Sequence, residues 1–141
     1  MAEYSANAVQ TVNPGESIIF TETPVPCFRG MVRHRDDTGS FLLSGCNCGR
    51  NGSTMYLVDF GANIAVPTGE TVGPISVAIA IDGATIASSN MIVTPAAVEQ
   101  YFNVSRATNV PVWNGCCETV SIRNTSAIPI LVQNANVIFS R

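Results

Sequence analysis

The chain contains no lysine, and all seven of its basic residues are arginine. Charged residues of both signs amount to 12% of 141 positions, against about a quarter in an ordinary globular domain. With a net charge of −3 and no basic patch, it lacks the electrostatic footprint of a nucleic-acid binder, so no nucleic-acid partner is expected. No apolar run approaches the ~20 residues that a membrane-crossing helix needs, so no membrane span is expected. The opening MAEYSANAV has neither a basic segment nor an apolar one, and no signal peptide is visible. There is one histidine, His34, which excludes any site built on two. A phosphate loop, a dinucleotide fingerprint and the common catalytic motifs are missing as well. Neither an enzymatic activity nor a cofactor is expected.

What the chain does have is apolar surface. Hydrophobic residues make up 46% of it, and with so little charge beside them a lone copy would expose much uncharged surface. Burial between copies is the simplest remedy. The length fits one domain spanning 1–141. Its first twelve residues form a mildly alternating strand or arm, and residues 45–54 (GCNCGRNGST) form a Gly- and Asn-rich loop that carries two cysteines.

The alternation is that of strands. In PISVAIAID, Ile75, Val77, Ile79 and Ile81 share one face, while Ser76, Ala78 and Ala80 share the other. The second face is small rather than charged, which suits close packing against something. In Tyr56 to Val66 the large groups Tyr56, Val58, Phe60, Ile64 and Val66 take one face. Asp82-Gly83 between alternating runs signals a hairpin. Shorter strands are expected at 17–20, 27–35, 40–44, 84–93, 101–113, 116–124 and 130–140. Thr23-Pro24-Val25-Pro26 reads as an edge or a connection, because proline cannot donate to a ladder. TPAAVEQYF (94–102) is ambiguous: Thr94 and Pro95 suit the start of a helix, but one this short needs tertiary support, and Tyr101-Phe102 read better as the start of the next strand. Eight to ten short strands at regular spacing make an all-β sandwich or barrel.

The order of certain motifs is more specific. Thr38-Gly39-x-Phe41, a loop, Tyr56-x-x-x-Phe60 and a final apolar strand resemble the tumour necrosis factor and complement globular-head superfamily. Gly15 to Phe20 resembles an early strand of that family, and Gly115 to Asn124 its penultimate one. The glycine expected just before the tyrosine is displaced to Gly45 or Gly52, as though the Cys-containing loop were inserted between the two halves of the motif. The resemblance implies a TNF-like jelly-roll β-sandwich that assembles as a homotrimer. It further implies kinship with phage structural proteins and with domains that tip collagen-like fibres on bacterial cells or spores, and hence a location on a phage particle or a bacterial cell or spore surface. Tyr56, Val58, Phe60 and Phe139 are the candidates for the trimer interface, although ordinary core residues of one protomer would show the same parity.

Other constellations carry less. Cys46, Cys48, Cys116 and Cys117 supply four thiolates, but C-x-C and CC are poor zinc spacings. Free thiols, disulfides and a zinc site all remain open. Cys27 makes the cysteine count odd. His34 with a cysteine and Asp36 or Asp37 would make a nucleophile pair, yet nothing marks a cleft or an oxyanion hole. Asp36, Asp37, Asp59 and Asp82 lie near turns without the spacing of a calcium loop. Arg33 and Arg35 lie on one face of their strand and are candidates for contact with a carboxylate or a glycan; Trp113, beside a turn, is a candidate stacking platform. The sequence therefore points to a structural or assembly module, with a head that binds a glycan or a host protein through its loops as the alternative.

Overall fold

The structure, a computed structural model, describes residues 1–27, 30–45, 52–115 and 117–141. Its strands are β1 (Ala2–Ala6), β2 (Gln10–Val12), β3 (Glu22–Val25), β4 (Val32–His34), β5 (Phe41–Ser44), β6 (Ser53–Ala65), β7 (Ile75–Ile81), β8 (Ala84–Thr85), β9 (Met91–Val93), β10 (Phe102–Trp113), β11 (Cys117–Asn124) and β12 (Ile130–Ser140). They form two sheets. The first runs β10-β6-β12-β1-β3, with β2 also paired to β12; the second runs β4-β5-β11-β7-β8, with β9 also paired to β7. Every pairing is antiparallel.

The strand count exceeds the expected eight to ten because two expected strands are each split. In the first, β12 bulges between Gln133 and Asn136, with Asn134 at a φ of 54°. β1 pairs with β12 on one side of the bulge and β2 on the other. In the second, Ala87–Ser89 make a 3-10 turn between β8 and β9. The Ser89 hydroxyl accepts from the Ile79 N–H at 2.9 Å, and so satisfies β7 where no neighbouring strand does. Asp82 and Gly83 both have positive φ, 50° and 86°, as a tight β7–β8 hairpin requires. Pro24 lies in β3, the edge of the first sheet, where its missing donor costs no ladder bond.

Two segments depart from the strand reading. SIIF is a crossing rather than a strand: the Ile18 N–H bonds to Ile122 in the second sheet at 2.8 Å, and Thr21 N–H bonds to Ser5 in the first at 3.1 Å. Ile18 and Phe20 are fully buried on the way. TPAAVEQYF forms no helix up to β10; Glu99 has a φ of 55° and gives its N–H to Val66 at 2.7 Å.

Both inner faces are apolar and meet in one core. Phe41 is at its centre, within 4.7 to 5.3 Å, ring centre to ring centre, of Tyr4, Phe20, His34 and Phe139. Aromatic pairs at this spacing add to the stabilisation from burial alone.

Candidate functional site

The sandwich leaves two outward sheet faces, and the chemistry divides between them. On the first sheet the even residues of β6 point inward. Tyr56, Val58, Phe60 and, from β12, Phe139 are at most 2% exposed. The structure thus corrects the expected interface set. These four fill the protomer's own core and present no surface to another copy. Tyr56 also ties the sheets together, its hydroxyl donating to the Ser44 carbonyl in β5 at 2.6 Å. Burial raises its pKa above the usual phenol range, with Arg141 opposing and Cys27 adding slightly.

The opposite parity of the same strand faces out. Pairing with β10 sets Met55 opposite Pro111, Leu57 opposite Asn109 and Ser53 opposite Trp113. Met55, Leu57 and Trp113 are 52%, 40% and 59% exposed. Farther along, an amide ladder crosses three strands: Asn103 donates to Asn63 at 3.2 Å, and Asn63 donates to Asn134 at 3.4 Å. Asp59 is the one charged side chain on the outward rows of β6 and β10. The period-2 rule contained this surface, since it is the other half of the alternation in Tyr56–Val66.

Arg33 and Arg35 project from the outward face of the second sheet, because Val32 and His34 turn inward. They line an open cavity of about 300 Å³ with Ser40, Leu42 and Thr119. Trp113 belongs to the first sheet, so the three candidate ligand contacts do not form one site. His34 stacks on Phe41 at 4.7 Å, and its Nε2 is 2.9 Å from the Thr38 carbonyl oxygen. That engagement leaves it a packing residue rather than half of a nucleophile pair.

Cys46, Cys48 and Cys116 lie outside the described residues. Cys117 is exposed at the start of β11, and half-buried Cys27 accepts the Val32 N–H at 3.3 Å. Among the described residues no three His, Cys, Asp or Glu side chains gather as a metal site. One carboxyl pair was not foreseen. At the β7–β8 hairpin Glu118 shares a hydrogen bond with Asp82, whose Oδ1 also accepts the Thr119 N–H at 2.9 Å. The bond to Glu118, then that N–H, hold Asp82 below its usual pKa; the same shared proton holds Glu118 above its own.

No protein-family model and no curated protein sequence matches the chain. Solved structures do. The globular domain of zebrafish complement 1qA superposes with a TM-score of 0.65 at 11% identity, over 97% of this chain and 94% of that one. Eiger TNF from S. frugiperda gives 0.68 at 11%, over 98% and 88%. Murine APRIL gives 0.55 at 13%, over 96% and 97%. The fold is the TNF/C1q-like jelly roll.

In this TNF-like sandwich the motif residues gain physical reasons. A Cβ on Gly39 would come within 2.2 Å of the Ile18 carbonyl oxygen, so only glycine lets the crossing segment lie against the turn. Thr38 holds that turn, its hydroxyl donating to the Arg35 carbonyl at 2.7 Å. Gly45 and Gly52, at either side of the Cys-containing stretch, both meet the end of β10: a Cβ on Gly45 would be 2.3 Å from the Trp113 carbonyl oxygen, and Asn114 N–H bonds to Gly52 at 2.7 Å. No helix among the described residues is long and apolar enough to cross a membrane.

Proposed function

We propose that the chain is a non-enzymatic TNF-like head that assembles as a homotrimer through the outward face of its first sheet, and that the trimer decorates a phage particle or tips a bacterial surface fibre. The observation that carries the assembly is the cluster of Met55, Leu57, Pro111 and Trp113 on the outward rows of β6 and β10, where Asp59 is the one charge. Beside it β10 is a twelve-residue edge strand paired on one side only. A long edge with apolar flanks invites pairing unless something covers it. A second copy supplies matching surface, with Asp59 as the one charge on the rows of β6 and β10 to be left at the rim or desolvated. Obligate interfaces bury roughly 2,000–5,000 Å², and apolar area is worth about 25 cal/mol per Å². Tens of kcal/mol gross are then available before the entropy of association is subtracted.

Light scattering tests the assembly: a mass near three times 14.9 kDa that persists on dilution is expected, and a well-behaved monomer at micromolar concentration rejects it. Immunogold labelling of phage particles and of intact cells and spores tests the setting. Label on none of them removes that part of the proposal.

A further inference from the structure

The sheet opposite the face proposed to associate carries the cavity of about 300 Å³. Arg33, Leu42 and Thr119 stand in a row across β4, β5 and β11, fixed by the pairings Arg33 with Leu42 and Leu42 with Thr119. Arg35 and Ser40 make a second row, joined by the Arg35 N–H bond to the Ser40 carbonyl at 3.3 Å. Both arginines are exposed. Among the described residues neither guanidinium has a hydrogen-bond or ion-pair partner, including Asp36 and Asp37 on the adjoining turn. His34, between the two arginines, also borders the cavity, but its ring is turned into the core against Phe41 and is held by the Thr38 carbonyl.

Two unpaired guanidiniums above an apolar floor, rimmed by hydroxyls, define a ligand chemically. A guanidinium offers a planar fork that matches a carboxylate. Leu42 offers a surface for the apolar face of a ring. Ser40 and Thr119 have hydroxyls that both donate and accept, as a polyol requires. The volume is at the small end of ligand pockets and suits one ring. A bare inorganic anion would use the arginines and leave the floor and hydroxyls idle.

We propose that this cavity binds an acidic monosaccharide unit of the uronic acid type, its carboxylate on Arg33 and Arg35 and its ring over Leu42. The cavity lies on the sheet that does not associate, so the proposal stands or falls separately from the trimer.

Saturation-transfer NMR on the assembled full chain tests it, with methyl β-D-glucuronide and neutral methyl β-D-glucoside as probes and sulfate as the inorganic comparison. The glucuronide is expected to saturate the site and the glucoside to bind at least about tenfold more weakly, since charge-assisted bonds are lost. Arg33→Gln and Arg35→Gln should each weaken glucuronide binding about tenfold while the trimer mass stays unchanged. Arg33→Lys, which keeps the charge and loses the fork, should also weaken it, and guards against reading a folding defect as lost binding. Equal affinity for the two sugars, no saturation transfer to the glucuronide at tens of millimolar, or an affinity indifferent to the arginine substitutions overturns the proposal. Sulfate bound as tightly as the glucuronide reduces the cavity to an anion site and overturns the sugar assignment.

Discussion

The two outward faces of this sandwich differ where its two inward faces agree. Inside, both sheets present large apolar side chains that meet around Phe41. Outside, the first sheet shows Met55, Leu57, Trp113 and an asparagine ladder, with Asp59 as the one charge on β6 and β10. The second sheet shows Arg33 and Arg35 beside Leu42 and Ser40, and Arg123 beside Ala78. Arg123 lies opposite Ala78, and its guanidinium donates to the Gly15 carbonyl at 3.2 Å. Ala78 and Ala80 are buried beside it, so the small face of β7 is a packing surface rather than a wet one. The difference teaches that burial specifies the interior of a β-sandwich in one way only, while each exterior is left to carry its own chemistry: mostly apolar and amide side chains on one side, arginines on the other.

The largest test breaks both faces at once. Phe41→Ala removes the ring that four others contact, and large-to-small changes of this kind cost about 3–5 kcal/mol. Chemical denaturation should show a drop of that order, and a loss below about 1 kcal/mol would mean that the cluster is not the common support of the two sheets.

Leu57→Arg separates the faces. It should turn the trimer into monomers, read by light scattering, with little change in the circular dichroism spectrum, because exposed substitutions alter protomer stability by only about 0.5 kcal/mol. A trimer that survives the added charge moves the interface elsewhere. Tyr56→Phe is milder. It deletes the hydroxyl that bonds to Ser44 across the sandwich, and a single such bond contributes about 1 kcal/mol. A midpoint shift of that size with an intact trimer is expected; dissociation without destabilisation would return Tyr56 to the interface.

The smallest effect is on pH dependence at the second sheet's hairpin. Asp82 has a depressed pKa, so its stabilisation is present above its unfolded value and is lost as pH falls through the folded one. Glu118 has a raised pKa, so its contribution is full below its unfolded value and is lost as pH rises through the folded one. The pair stabilises most in the acidic window between those two folded values, where one proton is shared. Asp82→Asn should return the Glu118 titration toward the ordinary glutamate range and flatten stability across that window. An NMR titration in which Glu118 does not move contradicts the shared proton.

Much of this architecture was legible beforehand, for local reasons. The parity of Tyr56–Val66 and of Ile75–Ile81, the Asp82-Gly83 turn and the edge role of Pro24 all follow from the pleat, from φ preferences and from a missing donor. The crossing of Ser17–Phe20 between sheets was not legible, because a run of three apolar residues, Ile18 to Phe20, reads alike as a strand or as core filler. Nor was the break at Ala87–Ser89, where a serine hydroxyl takes the place of a strand partner. The candidate site divided in the same way. The outward parity of Arg33 and Arg35 followed from their spacing. Their separation from Trp113 did not, because it depends on which sheet each strand joins.

The sequence by itself determined that the chain is a set of short two-faced strands, since alternation with period 2 is written into Tyr56 to Val66 and Ile75 to Ile81. Only the tertiary structure decided which of the two faces of β6 is inside. Tyr56, Val58 and Phe60 cover the second sheet and Met55 and Leu57 are left outside. A strand fixes how its side chains alternate; which side is buried depends on which side the second sheet covers, and that sheet is assembled from β4 and β5 before β6, and from β7 and β11 after it, so the choice exists only once the two sheets have closed on each other.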